Sequence, residues 1–427
     1  MWDKWFRTGC ALLVSGTLLF GSGFSPAVAE EEPPRTKRTQ TISQDAYRRL
    51  NRVQELADAG EVDSALQLLE RVQERASNDY EAAMALNLKA YIHYGQEQYD
   101  AAASAYASIL AMQAVPESLR RNTLFSLAKI RFIQEDYAAA LVPLRAWFEQ
   151  TEEPGIDALL LLGQAHYQLG QYDEVVPPVR AAIELAEAQG REPRENWYLL
   201  LRAAHYQQND FVAMRDVLRT LLEINPKREY WIQLGAVYAE LGQEEKQLAT
   251  LEAAYEQGVL EKPNDFYSFA QLLLAQGVPV KAVEVLNGAL SAERMPRDRR
   301  NLELFADALI SAKQYDRAVE VLSEAAGMSD DGNLYVQLAQ IELDLQHWEA
   351  ADVAAGKALL KGGLRRPELP YVLQGLARYN AENYRGATQA FQQAQSHDAS
   401  EKLASQWLKF IDQEQARSAA LQAASNS

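Results

Sequence analysis

The segment EQYDAAASAYASIL (97–110) returns along the chain as EDYAAALVPLRAWF (135–148), GQYDEVVPPVRAAI (170–183), KQYDRAVEVLSEAA (313–326) and ENYRGATQAFQQAQ (382–395). These are copies of one unit. Aligning them on the aromatic residue gives Tyr99, Tyr137, Tyr172, Phe211, Tyr315, Trp348 and Tyr384, with weaker copies at Val62, Glu244 and Pro279. Successive copies are 33 to 39 residues apart, and a period in that range marks a repeat array rather than a set of unrelated domains.

The copies agree at fixed offsets. Nine residues before the aligned position, eight of ten carry Gly or Ala: Ala90, Ala128, Gly163, Gly235, Ala270, Ala306, Ala339 and Gly375. Three residues after it, seven carry Ala (Ala65, Ala102, Ala140, Ala282, Ala318, Ala351, Ala387), and seven residues after it, nine carry a larger apolar group, including Tyr106, Leu144, Leu218, Leu286 and Phe391. Residues three, four and seven apart share a helical face, and small side chains let helix axes approach to about 8–10 Å. One such hairpin cannot bury its apolar face alone, so the units must stack.

This pattern resembles the tetratricopeptide repeat, a helix-turn-helix unit with small residues where its helices cross. The resemblance implies an all-α fold: a right-handed α-solenoid of about ten repeats over residues 43–397, first helices lining the concave side and second helices the convex side. Pro143, Pro177 and Pro178 fall inside expected second helices, where a proline removes a hydrogen bond and forces a bend or restart. Pro279 falls at a helix start, where the missing N–H costs nothing. Leu403, Trp407, Phe410 and Ile411 share one face of a final helix expected to cap the array within residues 398–427, with a frayed tail beyond Arg417.

At the other end, Lys4 and Arg7 precede an apolar run from Ala11 to Phe20, and Ala27-Val28-Ala29 supplies the small residues of a cleavage site. Residues 1–29 are therefore expected to be a cleaved secretory signal. The apolar run is shorter than the roughly 20 residues of a spanning helix, so an uncleaved anchor is the weaker alternative, and no other stretch could cross a membrane. Cys10 precedes the run and follows Arg7-Thr8-Gly9, a poor lipidation site; cleavage would leave a mature chain without cysteine. Residues 30–42, EEEPPRTKRTQTI, read as a flexible leader. The expected location is the periplasm.

A formal charge of −17, from 59 acidic against 42 basic residues, argues against nucleic-acid binding, which needs a basic face. Of five histidines, three recur in near-identical tetrapeptides, Ile92-His93-Tyr94-Gly95, Ala165-His166-Tyr167-Gln168 and Ala204-His205-Tyr206-Gln207. A metal or catalytic cluster would need its nitrogens on one ion at about 2.1 Å. Each of these histidines instead lies six residues before an aligned aromatic, so His166 and His205 should be about one helix spacing apart, packed and half-buried. His347 and His397 add no second ligand set. Glu30-Glu31-Glu32 and Ser329-Asp330-Asp331-Gly332 lack the twelve-residue calcium pattern and read as leader and turn. There is no glycine-rich phosphate loop, HExxH or GxSxG. The chain is expected to be no enzyme and to need no cofactor, a metal enzyme built on the histidine trio being the remote alternative.

Binding is better supported. Positions five, eight and twelve before the aligned residue face the groove side of the first helices and collect Tyr91, Tyr94, Phe125, Lys129, Phe132, Gln164, Tyr167, Tyr206, Tyr267 and Gln271. Rings supply area and amides read backbone, which suits an extended peptide or a partner helix, the alternative being that the rings pack between repeats. Arg191 and Arg194, in the longest insertion AQGREPREN, form a second candidate contact.

The stretches ENWYLLLRAAHYQQNDF (195–211), YWIQLGAVYAELGQEEKQLATLEAAYEQG (230–258) and SDDGNLYVQLAQI (329–341), with a block around Ala46 to Leu69, resemble a family of bacterial periplasmic tetratricopeptide proteins associated with Ton-type energy-transducing systems. The resemblance implies an accessory role beside TonB, ExbB and ExbD in nutrient uptake, such as that of iron-siderophore complexes. It supplies no catalytic motif to carry over. A scaffold for polysaccharide export or envelope assembly is the alternative of the same class.

Overall fold

The computed structural model of the chain describes residues 42–425; the expected signal and nearly all of the leader lie outside that range. The described residues form 21 α-helices and no strand. Twenty of the helices pair into ten consecutive hairpins, and the last stands alone.

Two compact units divide the described residues, the first built from 42–135 and 143–150, the second from 136–142 and 151–425. In the first unit, α1 (Gln44–Asp58) pairs with α2 (Val62–Glu74) and α3 (Asp79–Gly95) with α4 (Tyr99–Ala111), followed by α5 (Glu117–Ile133). The unit boundary passes through α6 (Tyr137–Glu149), the second helix of the third hairpin. The second unit continues with α7 (Ile156–Gln168) and α8 (Val176–Ala188), α9 (Glu195–Gln207) and α10 (Phe211–Ile224), and α11 (Arg228–Glu240) and α12 (Glu244–Glu256). Then follow α13 (Pro263–Ala275) and α14 (Pro279–Ser291), α15 (Arg299–Ser311) and α16 (Tyr315–Met328), and α17 (Asn333–Asp344) and α18 (Trp348–Lys361). The last pair is α19 (Leu369–Asn380) and α20 (Tyr384–Gln395), before the final α21 (Glu401–Ser425).

In all ten hairpins the aligned residue, from Val62 to Tyr384, is the first residue of the second helical segment. The turn before it is uniform. Two residues upstream of the aligned position, every copy has positive φ, with Gly60, Gly170, Gly242 and Gly277 in four turns and Glu97, Glu135, Asn209, Lys313, Gln346 and Glu382 in six. A left-handed residue at this place closes a helix by turning its last carbonyls onto the following N–H groups. Accordingly the N–H one residue before the aligned position returns to the carbonyl five residues earlier, as in Gln98 to His93 and Gln243 to Tyr238 (2.9 and 2.8 Å). Glycine is at ease in this conformation, and the six longer residues bear a steric cost at each turn.

The crossing of each pair explains the small residue nine before and the large residue seven after. A Cβ on Gly163 would lie 2.5 Å from Val179, on Gly235 3.1 Å from Leu251, and on Gly375 2.7–2.8 Å from three ring carbons of Phe391. These partners are the large apolar residues of the same hairpins. In copies with alanine the pair can be fully buried, as with Ala270 and Leu286 or Ala306 and Leu322. The continuous core of the second unit, from Leu251 to Leu373, grows from repetition of this contact.

The prolines behave in two ways. Helix α6 runs through Pro143 without interruption. At Pro177 and Pro178 the second helix begins as a 3-10 turn (Tyr172–Glu174) and restarts at Val176, which puts both prolines in a first turn where no N–H is needed. At the C-terminus, Ala404 and Ile411 are fully buried and Trp407 stacks on Phe391 at 5.5 Å and 2°, while Leu403 and Phe410 remain 44% and 45% exposed. The capping face is thus turned from the expected one toward Ala404 and Leu408.

Neighbouring first helices are also joined at their N-terminal ends by carboxylates, a feature the repeat pattern does not announce. Glu81, in the first turn of α3, accepts from the Ser43 and Ser77 N–H groups (2.7 and 2.8 Å) and from the Ser77 hydroxyl (2.7 Å). Glu195 in α9 binds Lys227, Tyr230 and Asn225 at the start of the next first helix. Asp265 in α13 holds the buried Arg228 of α11 through two parallel hydrogen bonds and also accepts from Lys262 N–H (2.9 Å). Carboxylates suit these places because the first turn of a helix has free N–H groups and a positive end.

Two expected outcomes follow from these contacts. Gly375→Ala would gain about 0.5–1 kcal/mol of helix propensity and lose about 1–3 kcal/mol by overpacking against Phe391, so it should lower the thermal midpoint. Gly327→Ala, in α16 with open space around it, should raise it; a rise for both would refute the crossing contact. The second concerns acid. Burial pushes the Glu81 carboxyl up, but the Ser77 and Ser43 N–H groups and hydroxyls outweigh it and hold the group at about 2, against 4.5 in a free side chain. The stabilisation, on the order of 3 kcal/mol, is complete above pH 4.5 and lost as pH falls through about 2. Hydrogen exchange of the first-unit amides across that window should steepen in the wild type and flatten in Glu81→Gln; identical profiles would contradict it.

Candidate functional site

The first helices present the face on which binding residues were expected, and the structure divides those residues by what they already touch. In the first unit Tyr91 is 61% exposed, whereas Tyr94 packs edge-on against Tyr99 at 5.9 Å. Phe125 stacks on Trp147 at 4.9 Å with the Lys129 ammonium 4.4 Å from its ring, and Phe132 is half-buried. In the second unit Tyr167 packs edge-on against Tyr172 at 5.5 Å, and Gln164 and Tyr206 are half-buried. The Arg300 guanidinium covers the ring of Tyr267 at 3.7 Å, and the exposed Gln271 donates to the Tyr267 hydroxyl at 3.4 Å. Arg191 and Arg194 are both exposed in the loop before α9.

A rule underlies the tyrosines. Tyr94 on Tyr99, Tyr167 on Tyr172 and Tyr379 on Tyr384 are all edge-on pairs, 5.5–5.9 Å apart at about 60°, between the residue five before the aligned position and the aligned residue itself. These rings fasten the top of their own hairpin, so part of each is spent on packing within the repeat. Tyr91 and Gln271 are the two exposed members of the expected set on the first helices.

The histidines are hairpin fasteners of the same kind. His93 and His166 each share a hydrogen bond, 2.7 Å from Nδ1, with a glutamine five residues on, Gln98 and Gln171. In the ninth hairpin the two roles are exchanged, and His347 Nδ1 meets Glu342 at 2.8 Å. His205 differs: it is 3% exposed, its Nδ1 lies 3.6 Å from Asp210, and neither ring nitrogen has a hydrogen-bond partner. Asp210 is engaged in capping α10 through Ala213 N–H. Burial holds the His205 pKa below its ordinary value, Asp210 opposing and Arg180 adding to the effect. The Asp331 carboxylate, in the acidic turn, accepts from Asn333 N–H at 2.9 Å. Among the described residues no three His, Cys, Asp or Glu side chains converge as metal ligands, and no helix is long and apolar enough to cross a membrane.

The same register places a groove that the list of aromatic residues missed. It runs across α15, α17 and α19, the first helices of the last three hairpins, with a volume of about 600 Å³. Ile310, Leu343, Leu373 and Leu376 line it together with Trp348, the first residue of α18, and Gln337, Gln340, Asp344 and Asn380 supply its polar groups. Ile310 and Leu343 are five before their aligned residues, and Gln340 and Leu376 eight before, which are the offsets of the predicted face. The groove opens where the five-before positions of α15 and α17 are aliphatic, Ile310 and Leu343, in place of the tyrosines at Tyr94 and Tyr167; α19 carries Tyr379 there, packed on Tyr384. Asp307, at the matching position of α15, is open to water yet crowded by protein. That crowding pushes its carboxyl above the usual range, Glu303 adding to the rise, while a 3.4 Å hydrogen bond from Gln337 acts against it.

A family model described as a tetratrico peptide repeat matches residues 207–309, from the end of α9 into α15. No curated protein matches the chain. Among solved structures, that of Naa15/Naa10 bound to HypK-THB is 16% identical with a TM-score of 0.46, over 78% of this chain and 51% of that one, so this chain spans about half its length. The TPR2AB-domain:pHSP90 complex of yeast Sti1 is 14% identical with a TM-score of 0.32, over 69% of this chain and 98% of that one. YrrB, described as a TPR protein with an unusual peptide-binding site, is 14% identical with a TM-score of 0.37, over 45% of this chain and 97% of that one. Such loose likenesses carry nothing about what this chain binds. Residues 207–309 match the tetratricopeptide repeat, and the described chain is an all-α array of hairpins of that type.

Proposed function

We propose that this protein is a non-catalytic scaffold that holds a protein partner against the first-helix faces of its hairpins. The observation that carries the reading is the groove across α15, α17 and α19: apolar residues together with amides and a carboxylate around a volume of about 600 Å³. Apolar pockets accept side chains, and edge amides pair with the N–H and C=O groups of an extended segment. Pre-formed helical scaffolds suit this role because the groove is rigid before the partner arrives, so little ordering cost falls on the scaffold side.

The finer reading places the scaffold in the periplasm, as an accessory of a Ton-type nutrient uptake system. Its support is the signal-like composition of residues 1–29 and the resemblance of residues 195–211, 230–258 and 329–341 to proteins of that setting. The alternative is a scaffold for polysaccharide export or envelope assembly. Deletion that impairs siderophore uptake and leaves polysaccharide secretion intact would favour the first; the reverse phenotype would remove it.

The face itself is tested by photocrosslinking in cells. A crosslinker replacing Gln340 in the groove, or Tyr91 on the first-helix face of the first unit, should capture a discrete partner. One replacing Leu360, 90% exposed on the second helix α18, should not. Equal adducts from Leu360, or none from Gln340 and Tyr91, would sink the assignment of the binding face.

A further inference from the structure

The groove across α15, α17 and α19 has a chemical bias that names a class of partner, an inference that rests on the scaffold reading above. Its charged groups have one sign. Asp344 lines it and no lysine or arginine does. Asp307 enters through Gln337, which lines the groove and donates to the Asp307 carboxylate. In α19, Arg378 is held by Asp352 at 2.9 Å. Arg299 is bound to Glu303 at 2.9 Å. Asp344 is exposed where it lines the groove.

The polar groups also favour one backbone geometry. Asn380 lines the groove and donates its amide N–H to the Leu376 carbonyl at 2.9 Å, which leaves its oxygen as an acceptor. With Asp344 and the amide oxygens of Gln340 and Gln337, the groove is richer in acceptors than in donors. An α-helix keeps its main-chain N–H groups to itself and cannot use these acceptors, whereas an extended chain offers an N–H to either side at each step. Three neighbouring first helices, each about 8–10 Å apart, span about 20 Å, which is about six residues of extended chain at 3.3 Å each.

We propose that this groove binds an extended peptide segment of about six residues in which apolar side chains alternate with lysine or arginine. The apolar side chains enter between Ile310, Leu343, Leu373 and Leu376, and the cationic ones pair with Asp344 and Asp307. The net charge of −17 adds a long-range attraction for such a partner and raises its rate of encounter. The two carboxylates, both exposed, supply the specificity, since a like-charged segment would meet them with repulsion.

The test uses the purified full chain and three fluorescein-labelled peptides of about seven residues, alternating leucine with lysine, with glutamine or with glutamate, read by fluorescence anisotropy. The lysine peptide should bind at least about tenfold tighter than the glutamate peptide, a difference of about 1.4 kcal/mol. Its affinity should fall with added salt. The double variant Asp307→Asn, Asp344→Asn should reduce binding of the lysine peptide about five- to tenfold and leave the glutamine peptide unchanged, with the circular dichroism spectrum preserved. Glu152→Gln with Glu153→Gln, exposed in a distant loop, should change nothing.

Equal binding of all three peptides, no binding of the lysine peptide, or an equal loss in the Glu152 and Glu153 variant would overturn the proposal. If crosslinks from Gln340 persist in that event, the scaffold reading stands and only the cationic partner falls. If those crosslinks are absent as well, both fall together.

Discussion

Eight of the ten hairpins depend on one contact, the close approach of a first helix to its second helix where one side gives up nearly all of its side chain; Val53 and Arg202 stand at that place in the other two. Gly163, Gly235 and Gly375 show how tight it is, because an added Cβ would stand within 2.5–3.1 Å of Val179, Leu251 or Phe391. A smaller partner on the other side would leave a void, and a larger residue on the first would prise the helices apart. In the ninth hairpin both positions are small, Ala339 and Ala355, and both are fully buried. Seven of the ten copies keep a small residue against a large one.

The turn converts that contact into a repeat. A left-handed residue two positions before each second helix sends the chain back on itself in all ten copies, even where Glu or Lys must adopt a conformation that glycine reaches at no cost. Its fixed geometry sets where the residues around it point. Six before the aligned position and one before it are brought side by side, which is why histidine meets glutamine in two hairpins and Glu342 meets His347 in another. The residue five before meets the aligned aromatic, giving the recurring tyrosine pairs. The recurrence of histidine and tyrosine thus reports shared mechanical demands, and the residues that remain free for a partner are those the turn leaves unpaired.

Much of this was readable in order of residues. The starts of the second helices, the small-for-large exchange and the capping role of the last helix follow from spacing alone, because helical periodicity and the turn are local. The less regular features required neighbours. Pro177 and Pro178 do not kink a helix; they begin one, since the chain spends Tyr172–Glu174 as a 3-10 turn first. Ala404 rather than Leu403 faces the last hairpin, a rotation of one residue that depends on where Trp407 finds Phe391. Glu81, Glu195 and Asp265 look like ordinary surface carboxylates until the next first helix is placed beside them.

The sequence by itself determined the repeat, its register and which residues share the outer face of the first helices, because each of these is set by interactions within one hairpin of about 35 residues. It could not say where along that face space remains. Most of the aromatic residues that marked the face most strongly are engaged within their hairpins or with a neighbouring side chain, while Ile310, Leu343, Leu373 and Leu376, unremarkable as residues, surround the open groove. Only the tertiary structure decided this, because an empty volume is bounded by side chains from three successive hairpins and belongs to none of them.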